Sequence, residues 1–159
     1  MPPAEERIFA SGRARVRVFH SPDTDAVLAI AAQSPEAAAW SRDSYETLPE
    51  QAGALAFVAE DGGEIVGFVV GREVGGQAEI LNLAVSPPRR RRGHASSLLT
   101  AALDHFRGCG AQSVYLEVRQ SNNAAIEFYS QHGFAKLVMR KDYYRSPDEP
   151  AITMMRNLE

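Results

Sequence analysis

Four consecutive arginines, Arg89 to Arg92, stand between an apolar run ending at Val85 and a helical pattern that begins after Gly93. Pro87 and Pro88 turn the chain just before them. In that layout consecutive backbone N–H groups and a helix N-terminus meet at one place, which suits an anion such as a phosphate. Gly93 lets the backbone come close to it, and Arg90, Arg91 and Arg92 add positive charge. The same run also fits a solvated basic turn, a nuclear-localisation signal or a nucleic-acid patch. The rest of the chain is neutral to acidic with no second basic cluster, so direct nucleic-acid binding is not expected.

Downstream, Glu117 lies in an alternating run and Tyr129 in a helical one. By itself Glu117 reads as a carboxylate on the solvent face of a strand, paired with Arg119. Tyr129 reads as a tyrosine packing a helix onto a sheet, and Asn122 as an N-cap. His105 and Cys109 fall at i and i+4, but two ligands without a third make no zinc site, so no metal is expected. Cys109 is then a small core filler. His94 sits inside the basic loop with its side chain expected toward solvent, and neither His20 nor His132 has a visible partner. There is no Ser-His-Asp or Cys-His arrangement with recognisable local context.

The elements that must carry these residues follow from periodicity. Alternation predicts strands over 13–19, 55–60, 65–71, 78–85 and 114–119, with closing strands at 134–139 and 151–155. Asp61-Gly62-Gly63 marks a hairpin turn. Asp23 or Thr24 caps a helix carrying Val27, Leu28 and Ile30, and a second short helix follows Ser41. Leu98, Leu99, Ala102, Leu103 and Phe106 form the apolar stripe of the longest helix, closed by Gly108 and Gly110. Asn122 and Asn123 open a helix through Ile126 and Tyr129 that ends near Gly133. This order predicts an α/β (α+β) protein with a mixed, helix-covered sheet.

A chain of 159 residues suits one domain, here 13–159 after a loose, flexible lead-in over 1–12. The net charge of -3 gives no pull toward anionic membrane, and no apolar run approaches the roughly 20 residues that span a bilayer. The start lacks the layout of a secretory signal. A single cysteine excludes an intrachain disulfide and fits a reducing cytoplasm.

Arg90-x-x-Gly93-x-Ala95, after a strand and before a helix, resembles the pyrophosphate-binding motif of the GCN5-related N-acetyltransferases (GNAT superfamily), written Q/R-x-x-G-x-G/A. Asn82-Leu83-Ala84-Val85-Ser86-Pro87 resembles that family's splayed strand, whose backbone pairs with the pantetheine arm of the cofactor. Leu116-Glu117-Val118-Arg119, the segment from Ser121 to Tyr129, and Gln131-His132-Gly133-Phe134 resemble its next strand, helix and helix end. The resemblance spans roughly residues 77–144. Within the family the chain looks most like the ribosomal-protein-alanine (RimI-like) subgroup, through 78–85, Leu-Glu-Val-Arg, the Tyr143-Tyr144 pair and Trp40-Ser41.

The resemblance implies about seven strands with a splayed pair, about four helices and acetyl-CoA as donor. It implies cofactor contacts from Leu83, Ala84, Val85, Arg90, Arg91, Arg92, Gly93, His94, Ala95, Ser96, Asn122 and Tyr129. Glu117 would take the proton of the acceptor amine, directly or through water, and Tyr129 would protonate the departing thiolate. A backbone N–H near Ala84 or Val85 would polarise the thioester. Trp40, Tyr143 and Tyr144 flank an extended peptide, or are core and rim aromatics. Ala95 replaces the commoner second glycine, and Arg90 the commoner glutamine, adding charge and salt dependence to cofactor binding.

An α-amine, with a reference pKa of about 7.7–8.0, is roughly one-tenth neutral at pH 7, whereas a lysine at about 10.4 is neutral less than about a thousandth of the time. That difference favours a protein N-terminus as acceptor, such as that of a ribosomal protein. A small-molecule amine and a non-catalytic acetyl-CoA-binding sensor or scaffold are the alternatives.

Overall fold

The computed structural model of the chain describes residues 9–11, 14–35, 37–38, 40–144 and 149–158, with backbone alone for 9–11 and 141–144. Its strands are β1 (Phe9–Ser11), β2 (Ala14–Val18), β3 (Ala54–Asp61), β4 (Glu64–Val74), β5 (Gln77–Val85), β6 (Ser113–Arg119), β7 (Ala135–Tyr144) and β8 (Glu149–Asn157). They form one sheet in the order β1-β2-β3-β4-β5-β6-β8-β7, and every neighbouring pair is antiparallel except β5 with β6. The helices are α1 (Thr24–Ala32), α2 (Arg42–Thr47), α3 (His94–Gly108) and α4 (Asn123–Gln131).

The mixed sheet of seven longer strands with four helices agrees with the expected fold class. The eighth strand, β1, lies where the sequence reads as a lead-in: Phe9 pairs with Val16 and Ser11 with Ala14. Three residues are too few to show a period, and pairing with β2 is what makes them a strand. The rest of that expected lead-in, 1–8 and 12, lies outside the described residues.

β4 explains the layering. Residues 66–71 are buried without a break, the pattern of a strand covered on both faces. On one face α3 lays Leu98, Leu99, Ala102, Leu103 and Phe106 against Phe57, Val69 and Ile80. The expected apolar stripe is therefore the packed stripe. On the other face Val27 and Ile30 of α1 and Tyr45 of α2 meet Val58, Phe68 and Val70. Gly71 sets how close α3 comes. A Cβ there would strike the carbonyl oxygen of Glu79 and approach Phe106 Cζ to 3.1 Å.

Side-chain caps start α2 and α4 but not α1 and α3. Ser41 caps α2 by accepting from Ser44 N at 3.1 Å. Asp23 precedes α1 but makes no side-chain cap to it. Its carboxylate accepts both terminal nitrogens of Arg17, at 2.8 and 2.9 Å, and His20 N at 2.8 Å. Arg17 Nε in turn reaches Glu60 at 2.7 Å, and Arg15 Nε reaches the other Glu60 oxygen at 2.6 Å. This network ties α1 to β2 and β3 through two buried carboxylates.

Burial pushes the Asp23 carboxyl up, but the Arg17 guanidinium and the His20 amide outweigh it and hold the pKa below the ordinary value. A depressed carboxyl contributes stability above its unfolded pKa and loses it as pH falls through the folded one. Asp23→Asn should therefore cost about 2 kcal/mol at pH 7. In urea titrations its stability should decline less than the wild type's as pH drops through the carboxylate range. Parallel pH profiles of the two proteins would refute the assignment.

Candidate active site

β5 and β6 are paired only over Gln77↔Ser113, Ala78↔Val114 and Glu79↔Tyr115. Beyond that point β6 stays in register with β8 as far as Arg119↔Ala151, while β5 stays with β4 as far as Val85↔Gly67. The two strands therefore splay. A bulge helps drive them apart, since Val70 pairs with Asn82 but Gly71 with Ile80, leaving Leu81 as the extra residue. The edges of β5 beyond Glu79 and of β6 beyond Tyr115 face each other without a ladder between them. Leu83, Ala84 and Val85 lie on this open arm.

At the top of the arm the chain makes one 3-10 turn over Pro87–Arg89 and reaches the arginine run. Arg91 has φ +63° and Gly93 φ +84°, two left-handed residues in three. Gly93 occupies the N-cap of α3 with no side-chain cap, and the first helical donor turned back on the loop is Ser97 N, to Gly93 O at 3.0 Å. Among the described residues the backbone N–H groups of Arg91, Arg92, Gly93, His94, Ala95 and Ser96 have no acceptor. Six open donors and two left-handed residues at the start of a fifteen-residue helix are groups that could receive an anion.

The arginines divide unequally. Arg89 is drawn to the β3–β4 hairpin, 2.8 Å from Glu64 and 3.5 Å from Asp61. Arg90, although exposed, donates to Val85 O at 3.1 Å and to Ser34 Oγ at 3.2 Å. Arg90, Arg91 and Arg92 are all exposed and make no ion pair among the described residues, but of the three Arg90 alone is held by side-chain hydrogen bonds there. His94, expected toward solvent, is instead 3% exposed. Its Nε2 lies 3.3 Å from Asp61 Oδ2 but off the line of a hydrogen bond.

On the other arm Glu117 is partly covered. Thr153 Oγ1 donates to it at 2.8 Å and Arg140 Nη1 at 3.2 Å. The expected Arg119 partner is engaged elsewhere, with Glu149 at 3.3 Å, because Arg119 reaches the first residue of β8. Glu149 also accepts Ser121 N at 2.6 Å, and Gln120 N donates to Pro150 O, so the start of β8 clasps the β6–α4 loop. That loop delivers Asn122, whose Oδ1 caps α4 through Ala125 N at 3.2 Å. Tyr129 follows two turns later, 7% exposed, edge-on to Phe128 and Phe134 with centroids 5.1 and 5.5 Å away.

Trp40 is half-buried and lies on Tyr45, centroids 5.2 Å apart. Tyr143 and Tyr144 belong to β7, but their side chains lie outside the described residues. Two further expectations fail. Cys109 is exposed rather than a core filler, beyond the last buried turn of α3, with Sγ 3.5 Å from His105 Nε2. His132 has partners: its Nδ1 lies 2.8 Å from Phe128 O and its Nε2 3.1 Å from Ser96 Oγ.

Sequence inspection missed Thr153 and Arg140 as partners of Glu117, because they come from β8 and β7 and no local pattern announces them. It also missed Tyr45 and the buried Asn82 amide beneath Trp40. Among the described residues no three His, Cys, Asp or Glu side chains converge as a metal site, and no helix is long and apolar enough to cross a membrane. The surface hollows near Gly133 and Tyr115 lie at the paired end of β6, away from the splay.

The mixed sheet thus opens beside a helix start whose first backbone amides have no acceptor among the described residues. The sequence matches the model of the Acetyltransferase (GNAT) family over residues 24–134, and the chain belongs to that family: it is an acetyltransferase by class. A ribosomal protein bS18-alanine N-acetyltransferase of Haemophilus ducreyi is 38% identical over 84 residues, 53% of this chain. That alignment takes in 58% of the relative's length. The crystal structure of the Escherichia coli ribosomal-protein-S18-alanine N-acetyltransferase superposes with a TM-score of 0.80 at 29% identity, covering 92% of this chain and 94% of that one. Ard1 from Thermoplasma volcanium superposes at 0.81 with 34% identity, covering 91% and 97%.

The Arg119 and Ser121 contacts hold the Glu149 carboxyl below the usual range, the Ser121 hydrogen bond foremost. The clasp is therefore present at neutral pH and released as pH falls through the lowered value. Glu149→Gln should lower the hydrogen-exchange protection factors of the Ser121 amide and the first turn of α4 several-fold at pH 7. Unchanged protection there would show that the loop does not depend on the clasp.

Proposed function

We propose that the chain transfers acetyl from acetyl-CoA to the N-terminal α-amine of a protein, such as a ribosomal protein, by direct transfer in a ternary complex. The observation that carries the donor is the open β5 arm running into six unpaired amides at Arg91 to Ser96. Leu83, Ala84 and Val85 offer the pantetheine arm a strand edge in place of β6. Arg91, Arg92, Gly93, His94, Ala95 and Ser96 hold the diphosphate with backbone N–H groups, and the Arg91 and Arg92 side chains add charge. Asn122 serves the pantetheine arm beside its cap. The residues present fit the donor and call for no metal.

Glu117 takes the proton from the attacking amine, directly or through one water. Arg140 and Thr153 fix the orientation of its carboxylate. A backbone N–H near Ala84 or Val85 polarises the thioester carbonyl. As the amine nitrogen bonds to the acetyl carbon and the C–S bond breaks, Tyr129 gives its phenolic proton to the thiolate. Trp40, Tyr143 and Tyr144 line the acceptor side. Residues 13–159 act as one domain, and the work is done in the cytoplasm, which the single cysteine suits.

The two relatives named for ribosomal-protein alanine support the acceptor. An α-amine also asks less of Glu117 than a lysine does, being neutral several hundredfold more often at pH 7, on the order of 10^2.5. Incubating the protein with acetyl-CoA and a mixed library of N-terminal peptides, lysine peptides and small amines, read by mass spectrometry, should yield acetylated α-amines. Product on small amines alone would move the function to a small-molecule acceptor, and donor binding without any product would make the chain a sensor or scaffold.

Glu117→Gln should lower turnover by about a hundredfold and Tyr129→Phe by about tenfold or more, each with little change in acetyl-CoA affinity by calorimetry. Unaltered turnover in both variants would remove these assignments.

A further inference from the structure

Arg90 occupies the first position of the anion motif and is exposed, yet its guanidinium is engaged by protein acceptors. Nε donates to Val85 O at 3.1 Å and Nη2 to Ser34 Oγ at 3.2 Å. Ser34 follows α1, is 3% exposed and donates onward to Ile30 O at 3.0 Å. A second tie lies farther down β5. The buried Asn82 amide exchanges hydrogen bonds with Ala38, accepting its N–H at 3.3 Å and donating to its carbonyl at 3.2 Å, and also donates to Tyr45 Oη at 3.1 Å. The connection between α1 and α2, which carries Trp40, is thus fastened to the open arm of β5 by side chains at two points. The Arg90 tie fastens the same connection to the anion loop.

We infer that Arg90 is a positioning residue rather than a phosphate ligand: through Ser34 and Val85 it joins the α1–α2 connection, as one wall of the acceptor site, to the donor loop. This rests on the donor reading given above. The planar fork matters, because Nε and Nη2 must reach a strand carbonyl and a helix-end hydroxyl at once, which an ammonium group on a flexible stem does not do. Charge toward the phosphates then comes from Arg91 and Arg92.

The test uses the full chain, acetyl-CoA and a short peptide with a free N-terminal alanine. Arg90→Gln, Arg90→Lys and Ser34→Ala should each raise the peptide KM, by about tenfold where the charged hydrogen bond is lost. Acetyl-CoA affinity by calorimetry, and its salt dependence, should stay within about twofold of wild type. Ser34→Ala combined with Arg90→Gln should cost little more than one change alone, because both break the same tie. Loss of acetyl-CoA affinity with a flattened salt dependence in Arg90→Gln, spared in Arg90→Lys, would overturn the inference in favour of a phosphate ligand. A fall in melting temperature with both KM values unchanged would overturn it in favour of a merely structural contact. Ser34→Ala removes a single oxygen, so it keeps the test decisive if the arginine variants fail to fold. Wild-type protein that does not bind acetyl-CoA would instead defeat the donor reading, and this inference with it.

Discussion

Two parallel strands that separate after three residue pairs leave backbone groups in the middle of a sheet without partners, and everything around the cleft is arranged to keep them so. Unpaired edges inside a sheet normally recruit a neighbour. Here β8 enters antiparallel along the whole of β6, and β4 holds β5 through Val85, so both arms are rigid while the gap stays open. The Leu81 bulge turns β5 outward, and the double burial of β4 prevents the opening from spreading into the core. An extended donor with amide groups of its own can complete such edges, which explains why the cleft needs so few side chains.

The polar contacts around the gap are mostly supports. Arg17, Asp23 and Glu60 anchor the start of α1 at one side of the sheet. Glu149 clasps the turn that delivers Asn122 and α4 at the other. Glu117 is oriented by groups from two strands that arrive more than twenty residues later in the chain. Each contact fixes an element whose backbone or side chain faces the cleft, so geometry set far from the chemistry decides how well the reacting groups are aligned.

The arginine run shows how one composition serves several ends. Arg89 holds a hairpin, Arg90 is bonded to Val85 O and Ser34 Oγ, and Arg91 and Arg92 remain for solvent or ligand. Charge counting treats the four as equal. Position on a loop with left-handed turns separates them, because successive side chains leave such a loop in different directions.

By itself the sequence determined what is local. The Leu98 to Phe106 stripe, the Asn122 and Ser41 caps, the alternation of 114–119 and the open helix start at Gly93 each depend on a few neighbouring residues, and all were legible. Loss of the ladder beyond Glu79, the burial of His94, the exposure of Cys109, the partners of Glu117 and the Arg90–Ser34 hydrogen bond depended on strands and helices brought together from distant parts of the chain. A side chain's type limits what it can bond to. Which partner stands within about three ångströms of it is decided only when the sheet and its two layers have packed, and the cleft between β5 and β6 takes its walls from that packing.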